Sequence, residues 1–203
     1  MIYLSKVVLN LRNRRVQKEL VNIYELHRTL LSAFPDRIAG GLGRVLFRVE
    51  RFDGDTVDVL VQSESRPDWQ KFNDDPSYLV GLPATKELEP SFREGQRLLF
   101  RLRANPTVKR EGKRLGHYRM EDQIAWFNRK AGSHGFTVEH VLVAPERAIE
   151  GKKGPAAMKF SSALFEGVIR VTDPVKFREA IETGIGSAKG FGFGLLSVAP
   201  AKV

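Results

Sequence analysis

Leu98-Leu99-Phe100-Arg101-Leu102-Arg103-Ala104 alternates apolar side chains with arginine, the period-two pattern of a strand with one apolar and one basic face. It follows the break Glu89-Pro90-Ser91-Phe92-Arg93-Glu94-Gly95, and from this strand onward the element order resembles that of the first half. Before the break, residues 3–10 read as a strand rich in β-branched and aromatic residues. Residues 16–34 read as one helix with Val16, Leu20, Ile23, Leu26, His27, Leu30, Leu31 and Phe34 on one side and Pro35-Asp36 as its stop. Residues 45–50 and 56–62 form a hairpin around Asp53-Gly54-Asp55, with a weak helix near 67–72 and a short strand at 78–82. After the break come a helix over 120–131, a strand over 137–143 and a long strand over 160–171. A helix over 174–183 then opens with Asp173 as N-cap and Pro174 in first position, ahead of a last strand at 195–198. Two such rounds predict an α+β protein of two tandem ferredoxin-like, RRM-like domains, each an antiparallel sheet backed by helices, over residues 1–90 and 95–203. No sequence repeat relates the halves, so element order alone carries this expectation.

Across 203 residues, 33 Lys and Arg face 24 Asp and Glu, a formal net charge of +9. That excess favours a polyanionic partner, and nucleic acid is the usual one. Lys109-Arg110-Glu111-Gly112-Lys113-Arg114 and Gly151-Lys152-Lys153-Gly154 concentrate the charge and read as loops with charged tips. Taken singly, each reads equally as a solvated loop. Cysteine is absent, so no disulfide forms, in keeping with a reducing cytoplasm. The first ten residues hold only a short apolar run with a lysine inside it, and no later segment approaches a membrane span. Neither export nor membrane insertion is expected.

None of the four histidines, His27, His117, His134 and His140, is spaced with another as a metal ligand pair, so no metal and no cofactor is expected. Phosphate-binding, dinucleotide and nucleophile-elbow motifs are also missing. His27 has the useful neighbours. Tyr24 lies three residues before it, which on a helix brings phenol and imidazole within reach of one bound atom, and Arg28 adds a cation. Attack of a ribose 2′-hydroxyl on its own phosphate needs a proton acceptor, a proton donor for the leaving 5′-oxygen, and positive charge for the intermediate. Tyr, His and Arg supply these without metal. A buried histidine that only packs its helix produces the same pattern. One His27-Arg28-Thr29 triplet, rather than two H-x-[ST] motifs, disfavours the two-histidine phosphoesterase mechanism.

The tail Gly184-Ile185-Gly186-Ser187-Ala188-Lys189-Gly190-Phe191-Gly192-Phe193-Gly194 packs five glycines and a lysine ahead of an apolar strand. Such backbone approaches a bulky anion closely, a phosphodiester being the natural one, or simply turns before the last strand. Lys189 is placed there to meet a phosphate.

The chain resembles the CasE endoribonucleases of type I-E CRISPR systems, which process precursor CRISPR RNA. The likeness rests on Tyr3-Leu4-Ser5-Lys6, Tyr24-Glu25-Leu26-His27-Arg28-Thr29-Leu30, Phe100-Arg101-Leu102-Arg103-Ala104-Asn105-Pro106-Thr107, Leu164-Phe165-Glu166-Gly167 and the Gly-rich tail through Ser197, in that order. The resemblance implies tandem ferredoxin-like domains and metal-independent cleavage of a stem-loop repeat at the 3′ base of its stem. It further implies a 2′,3′-cyclic phosphate product retained with the other subunits of the Cascade complex. Tyr24 and His27 fall on the family's catalytic pair. Its basic groove-entering hairpin corresponds to residues 151–159, with Lys152, Lys153 and Lys159. Arg28, Lys109, Arg110, Lys113, Arg114 and Lys189 complete the expected RNA contacts. A thin basic hairpin suits A-form RNA, whose major groove is too narrow for a helix to read. A non-catalytic RRM-like RNA-binding subunit and a structural subunit with a basic face are the competing readings. The strands show no RRM aromatic motif, although Phe191 and Phe193 are loosely similar to one.

Overall fold

The computed structural model describes residues 1–35, 43–72, 74–146, 148–153 and 156–201; Asp36 and Gly154 of the sequence analysis lie outside them. The chain forms two compact units. The first comprises Met1–Glu89, Glu150–Met158 and Gly190–Gly192, and the second comprises Pro90–Ile149, Lys159–Lys189 and the residues from Phe193 onward.

In the first unit β1 (Ile2–Asn10) leads into α1 (Arg14–Val21) and α2 (Ile23–Leu31), followed by β2 (Val45–Asp53), β3 (Thr56–Ser63), a 3₁₀ turn at Trp69–Phe72 and β4 (Ala84–Leu88). The sheet order is β4-β1-β3-β2, with every neighbour antiparallel. Alternation puts Val7 and Leu9 of β1 and Val57, Val59 and Val61 of β3 on the inner face, where Leu26 and Leu30 of α2 are also fully buried.

The single helix expected over 16–34 is two helices. Asn13 caps α1 by accepting from the Arg15 and Val16 amides, and Asn22, with φ −115° and ψ 84°, breaks the run before α2. Within the short α1 the inward face is formed by Val16 and Glu19, so Leu20 is only half-buried while Glu19 is buried. Glu19 tolerates this because its carboxylate accepts from the Tyr78 hydroxyl, from Thr29 Oγ1 at 2.7 Å and from Arg15 Nε at 2.8 Å. The short strand expected at 78–82 is a turn with a single bridge, Leu9 to Leu79. The edge strand lies six residues later, in the polar stretch Ala84–Leu88, where a mostly exposed edge gives no apolar signal.

The remaining strands are β5 (Arg97–Ala104), β6 (Thr107–Arg110), β7 (Lys113–Gly116), β8 (Phe136–Pro145), β9 (Ile149–Lys153), β10 (Ala156–Phe160), β11 (Ala163–Val171) and β12 (Leu196–Pro200). The helices are α3 (Met120–Ser133) and α4 (Pro174–Thr183). The second unit's main sheet runs β12-β5-β11-β8, also antiparallel throughout. In chain order both sheets therefore read fourth, first, third, second, the ferredoxin-like arrangement. Phe127 fills the second core, its ring centroid 5.1 Å from Phe100 and 5.0 Å from Phe165, and Phe136 and Phe177 extend it.

Two further expectations are corrected. The long strand over 160–171 is interrupted at Ser161 and Ser162, whose hydroxyls donate to the His117 carbonyl (2.7 Å) and to Glu146 (2.5 Å). The arginine face of β5 is not a free basic surface: Arg97 pairs with Glu139, Arg101 with Glu166 and Arg103 with Glu146. Glu139 reaches Arg170 as well, from a bulge in β8 opposite Val168 and Ile169. Among the described residues no helix is long and apolar enough to cross a membrane.

Candidate active site and nucleic-acid interface

The break at Asn22 gives α2 its own direction, with Ile23, Leu26 and Leu30 turned into the first core and Tyr24 and His27 half-buried on its flank. Their ring centroids are 6.4 Å apart. His27 lies nearly parallel to the Phe47 ring of β2, 5.7 Å away at 12°, and Tyr24 stacks on Phe191 at 5.5 Å. Burial holds the His27 imidazole below its ordinary value, so the ring is uncharged at neutral pH. Its Nδ1 is shut off from solvent with no hydrogen-bond partner among the described residues. Nδ1 itself cannot reach a substrate, so any proton transfer at this ring runs through Nε2, which is not shut off in this way. Arg28 is exposed, and its guanidinium pairs with Glu25 at 3.0 Å. The structure brings the expected Tyr24 and His27 near each other and adds Phe47, whose position in an apolar strand gives no sign that it meets the imidazole.

In the second unit, the stretch 109–114 expected as a loop is a hairpin. β6 and β7 set Lys109 opposite Arg114 and Arg110 opposite Lys113, with Glu111 and Gly112 at the tip. Like charges directly across a ladder repel, which an anionic partner would relieve. Among the described residues Lys109, Arg110 and Arg114 have no ion pair; the side chain of Lys113 lies outside the description. Lys109 and Arg114 open onto a cavity of about 260 Å³ that Thr107, Trp126, Lys130 and Ser187 also line. Cations and hydroxyls around one hollow suit phosphate oxygens. Lys130 is not singled out by the sequence, where it reads as an ordinary solvated residue in the last turn of α3.

The other expected contacts are distributed differently. Lys152 and Lys153 lie in β9, so the stretch 151–154 is strand up to Lys153 rather than loop, and their side chains are outside the description; Lys159 is exposed on β10. The Lys189 ammonium donates to the Thr183 carbonyl at 2.7 Å, capping the end of α4. Gly184, Gly186, Gly192 and Gly194 have φ between 75° and 92°, a region side chains avoid, whereas Gly190 does not. Phe191 and Phe193 are buried, so they form no exposed aromatic platform for bases. Among the described residues no group of three or more His, Cys, Asp or Glu converges as a metal site.

Ferredoxin-like sheets, a half-buried Tyr–His pair and a hairpin of exposed cations fit an RNA-processing class of protein. Comparison with known proteins narrows the class. The family model "CRISPR associated protein" matches residues 2–200. Over 98% of this chain and 100% of the relative, it is 34% identical to the CRISPR-associated endoribonuclease Cse3 of Thermus thermophilus. With the same two coverages it is 33% identical to the Cascade subunit CasE of Escherichia coli. The structure of Thermus thermophilus Cse3 bound to an RNA representing a pre-cleavage complex superposes with a TM-score of 0.89 at 34% identity, covering 98% of this chain and 99% of that one. The chain belongs to the CRISPR-associated protein family, in its CasE branch.

Proposed function

We propose that this CRISPR-associated endoribonuclease cuts the stem-loop repeat of precursor CRISPR RNA at the 3′ base of its stem, in the cytoplasm, and keeps the product within a Cascade assembly. The observation that carries the reading is the half-buried Tyr24–His27 pair, with an imidazole kept neutral by burial. A neutral imidazole at pH 7 takes the proton of the 2′-hydroxyl as that oxygen attacks the adjacent phosphorus. The bond to the 5′-oxygen breaks, that oxygen leaves protonated, and the 2′,3′-cyclic phosphate remains. Tyr24 orients the scissile phosphate or delivers the second proton. The nucleophile comes from the RNA, so the chemistry needs no metal. In this reading the Tyr24–His27 pair of the first unit carries the reaction and the β6–β7 cations of the second hold the stem by its phosphates.

Cleavage of repeat RNA in excess chelator, with the ends mapped, tests it. The expected ends are 5′-hydroxyl and 2′,3′-cyclic phosphate, and a single 2′-deoxy substitution at the cleaved nucleotide stops the reaction. Cutting of the deoxy substrate at the same bond rules out internal attack.

A further inference from the structure

Gly190 and Gly151 have no backbone reason to be glycine. Neither has a positive φ, unlike Gly192 at 80° or Gly194 at 92°. A left-handed backbone therefore does not call for glycine there, and what crowds a side chain lies in front of them. A methyl group on Gly190 would sit 3.2 Å from Cδ2 and 3.4 Å from Nε2 of His27. One on Gly151 would sit 2.5 Å from Cε1 and 2.9 Å from Cδ1 of Phe191, the ring on which Tyr24 stacks. At Gly151 the Phe191 ring occupies the volume of the absent side chain, and at Gly190 the 3.2 Å approach to Cδ2 is tight enough that the imidazole would have to give by a few tenths of an ångström. The same segment, Gly190–Gly192, thus meets both rings of the pair: Gly190 against His27 and Phe191 against Tyr24.

We propose that Gly190 and Gly151 are positioning residues for the cleavage, each leaving a slot in which one ring of the Tyr24–His27 pair is held. Gly190 leaves room for the Cδ2–Nε2 edge of His27 while Phe47 lies parallel to the ring. Gly151 admits Phe191, which in turn supports Tyr24. The inference rests on the cleavage reading for its role, but the geometry stands without it. Neither glycine touches the reacting atoms; each acts through the ring it admits. Displacing a proton-transfer group by a few tenths of an ångström weakens its alignment more than its binding, so kcat falls by about tenfold with KM little changed.

The test is Gly190→Ala in the full chain, read by single-turnover and steady-state cleavage, thermal melting, and NMR of the His27 ring without RNA. The expected result is about a tenfold loss in kcat, KM within about twofold, an unchanged melting temperature and shifted His27 Cδ2–H and Cε1–H signals. Gly151→Ala is the second variant, with the Tyr24 ring signals moving and kcat falling. Unmoved ring signals, a wild-type kcat, or a melting loss that accounts for the rate loss overturns the proposal. The NMR arm is independent of cleavage, so a wild-type rate in His27→Ala would sink the cleavage reading without touching the slots.

Discussion

The two units share a strand order and treat charge in opposite ways. In the first, the ionisable groups near the core are buried and answered: Glu19 by Tyr78, Thr29 and Arg15, and Arg48, 2% exposed, by Glu50. His27 sits beside that core, half-buried and uncharged. In the second, the arginines of the main sheet are paired, but the β6–β7 hairpin holds Lys109, Arg110 and Arg114 out in solvent without partners among the described residues. Proton transfer gains from removing water, which tunes the proton affinity of one group. Capture of a polyanion gains from leaving cations in water, where their field reaches outward. One fold supports both because its sheet only has to bury one face.

The sharpest way to break this contrast is His27→Ala. Cleavage is expected to fall by about 10²- to 10⁴-fold, the usual worth of a positioned proton-transfer group, while affinity for repeat RNA stays near wild type. Tyr24→Phe should slow the step by less if the hydroxyl only orients the phosphate. Equal loss of rate, binding and folding in His27→Ala would return the residue to a packing role and erase the difference between the units.

Glu19→Ala separates buried charge that holds the fold from buried chemistry. Removing the carboxylate strands the buried Tyr78 hydroxyl and leaves Thr29 with only the half-exposed Arg15 guanidinium, at a cost of about 3 kcal/mol to stability in denaturant unfolding. The kcat of the protein still folded should be unchanged. A stable variant would mean that the network is dispensable.

Smaller again is the effect of clearing the hairpin. Lys109→Ala with Arg114→Ala should weaken stem binding about tenfold and flatten the logarithmic salt dependence by about 0.7 to 0.9 per lost phosphate contact, with the rate at saturating RNA unchanged. If Lys152, Lys153 and Lys159 carry the stem instead, their triple alanine variant flattens the slope and the β6–β7 variant leaves it alone. That outcome would move the binding surface to the β9–β10 hairpin, whose residues 150–158 belong to the first unit, and the division of labour would fail.

How much is readable in the sequence follows from where the signal resides. Strands with a buried face announce themselves: 98–104 is legible to within a residue because Leu98, Phe100 and Leu102 all point inward. The helix over 174–183 is legible at both ends because Asp173 accepts from the Val175 and Lys176 amides and Gly184 stops the run at φ 75°. The edge strand Ala84–Leu88 escapes because backbone pairing to β1 alone defines it, and Ser5 pairing with Thr85 leaves no pattern in sequence. Likewise the burial of Glu19 depends on its meeting Tyr78, fifty-nine residues away. Tyr24 and His27 are legible as a pair by helical spacing. Phe47 is not, and Gly151 and Gly190, though part of stretches the sequence singles out, show no sign there of meeting these rings, because the contacts join segments far apart in the chain. The glycine tract reads as an approach to phosphate, and at Gly190 the close neighbour is the imidazole itself.

The last and smallest effect is in pH. Burial lowers the folded-state value of His27 below 6.5, with no opposing charge: Tyr24 faces it as a ring, Phe47 is apolar, and Arg28 is turned to Glu25. The neutral imidazole therefore persists as pH falls past 6.5, and the acid limb of the cleavage rate should lie below that value with unit slope. The stability consequence has the same origin. Between the folded value and 6.5 the unfolded chain binds the proton and the folded chain does not, so stability is full above 6.5 and declines as pH falls through that window. Denaturant unfolding of wild type and His27→Gln from about pH 7 to about pH 5 isolates the effect, since the variant lacks this part of the decline. An acid limb at or above 6.5, or parallel stability curves for the two proteins, would mean that the ring is solvated like any surface histidine and that the first unit does not shelter its chemistry.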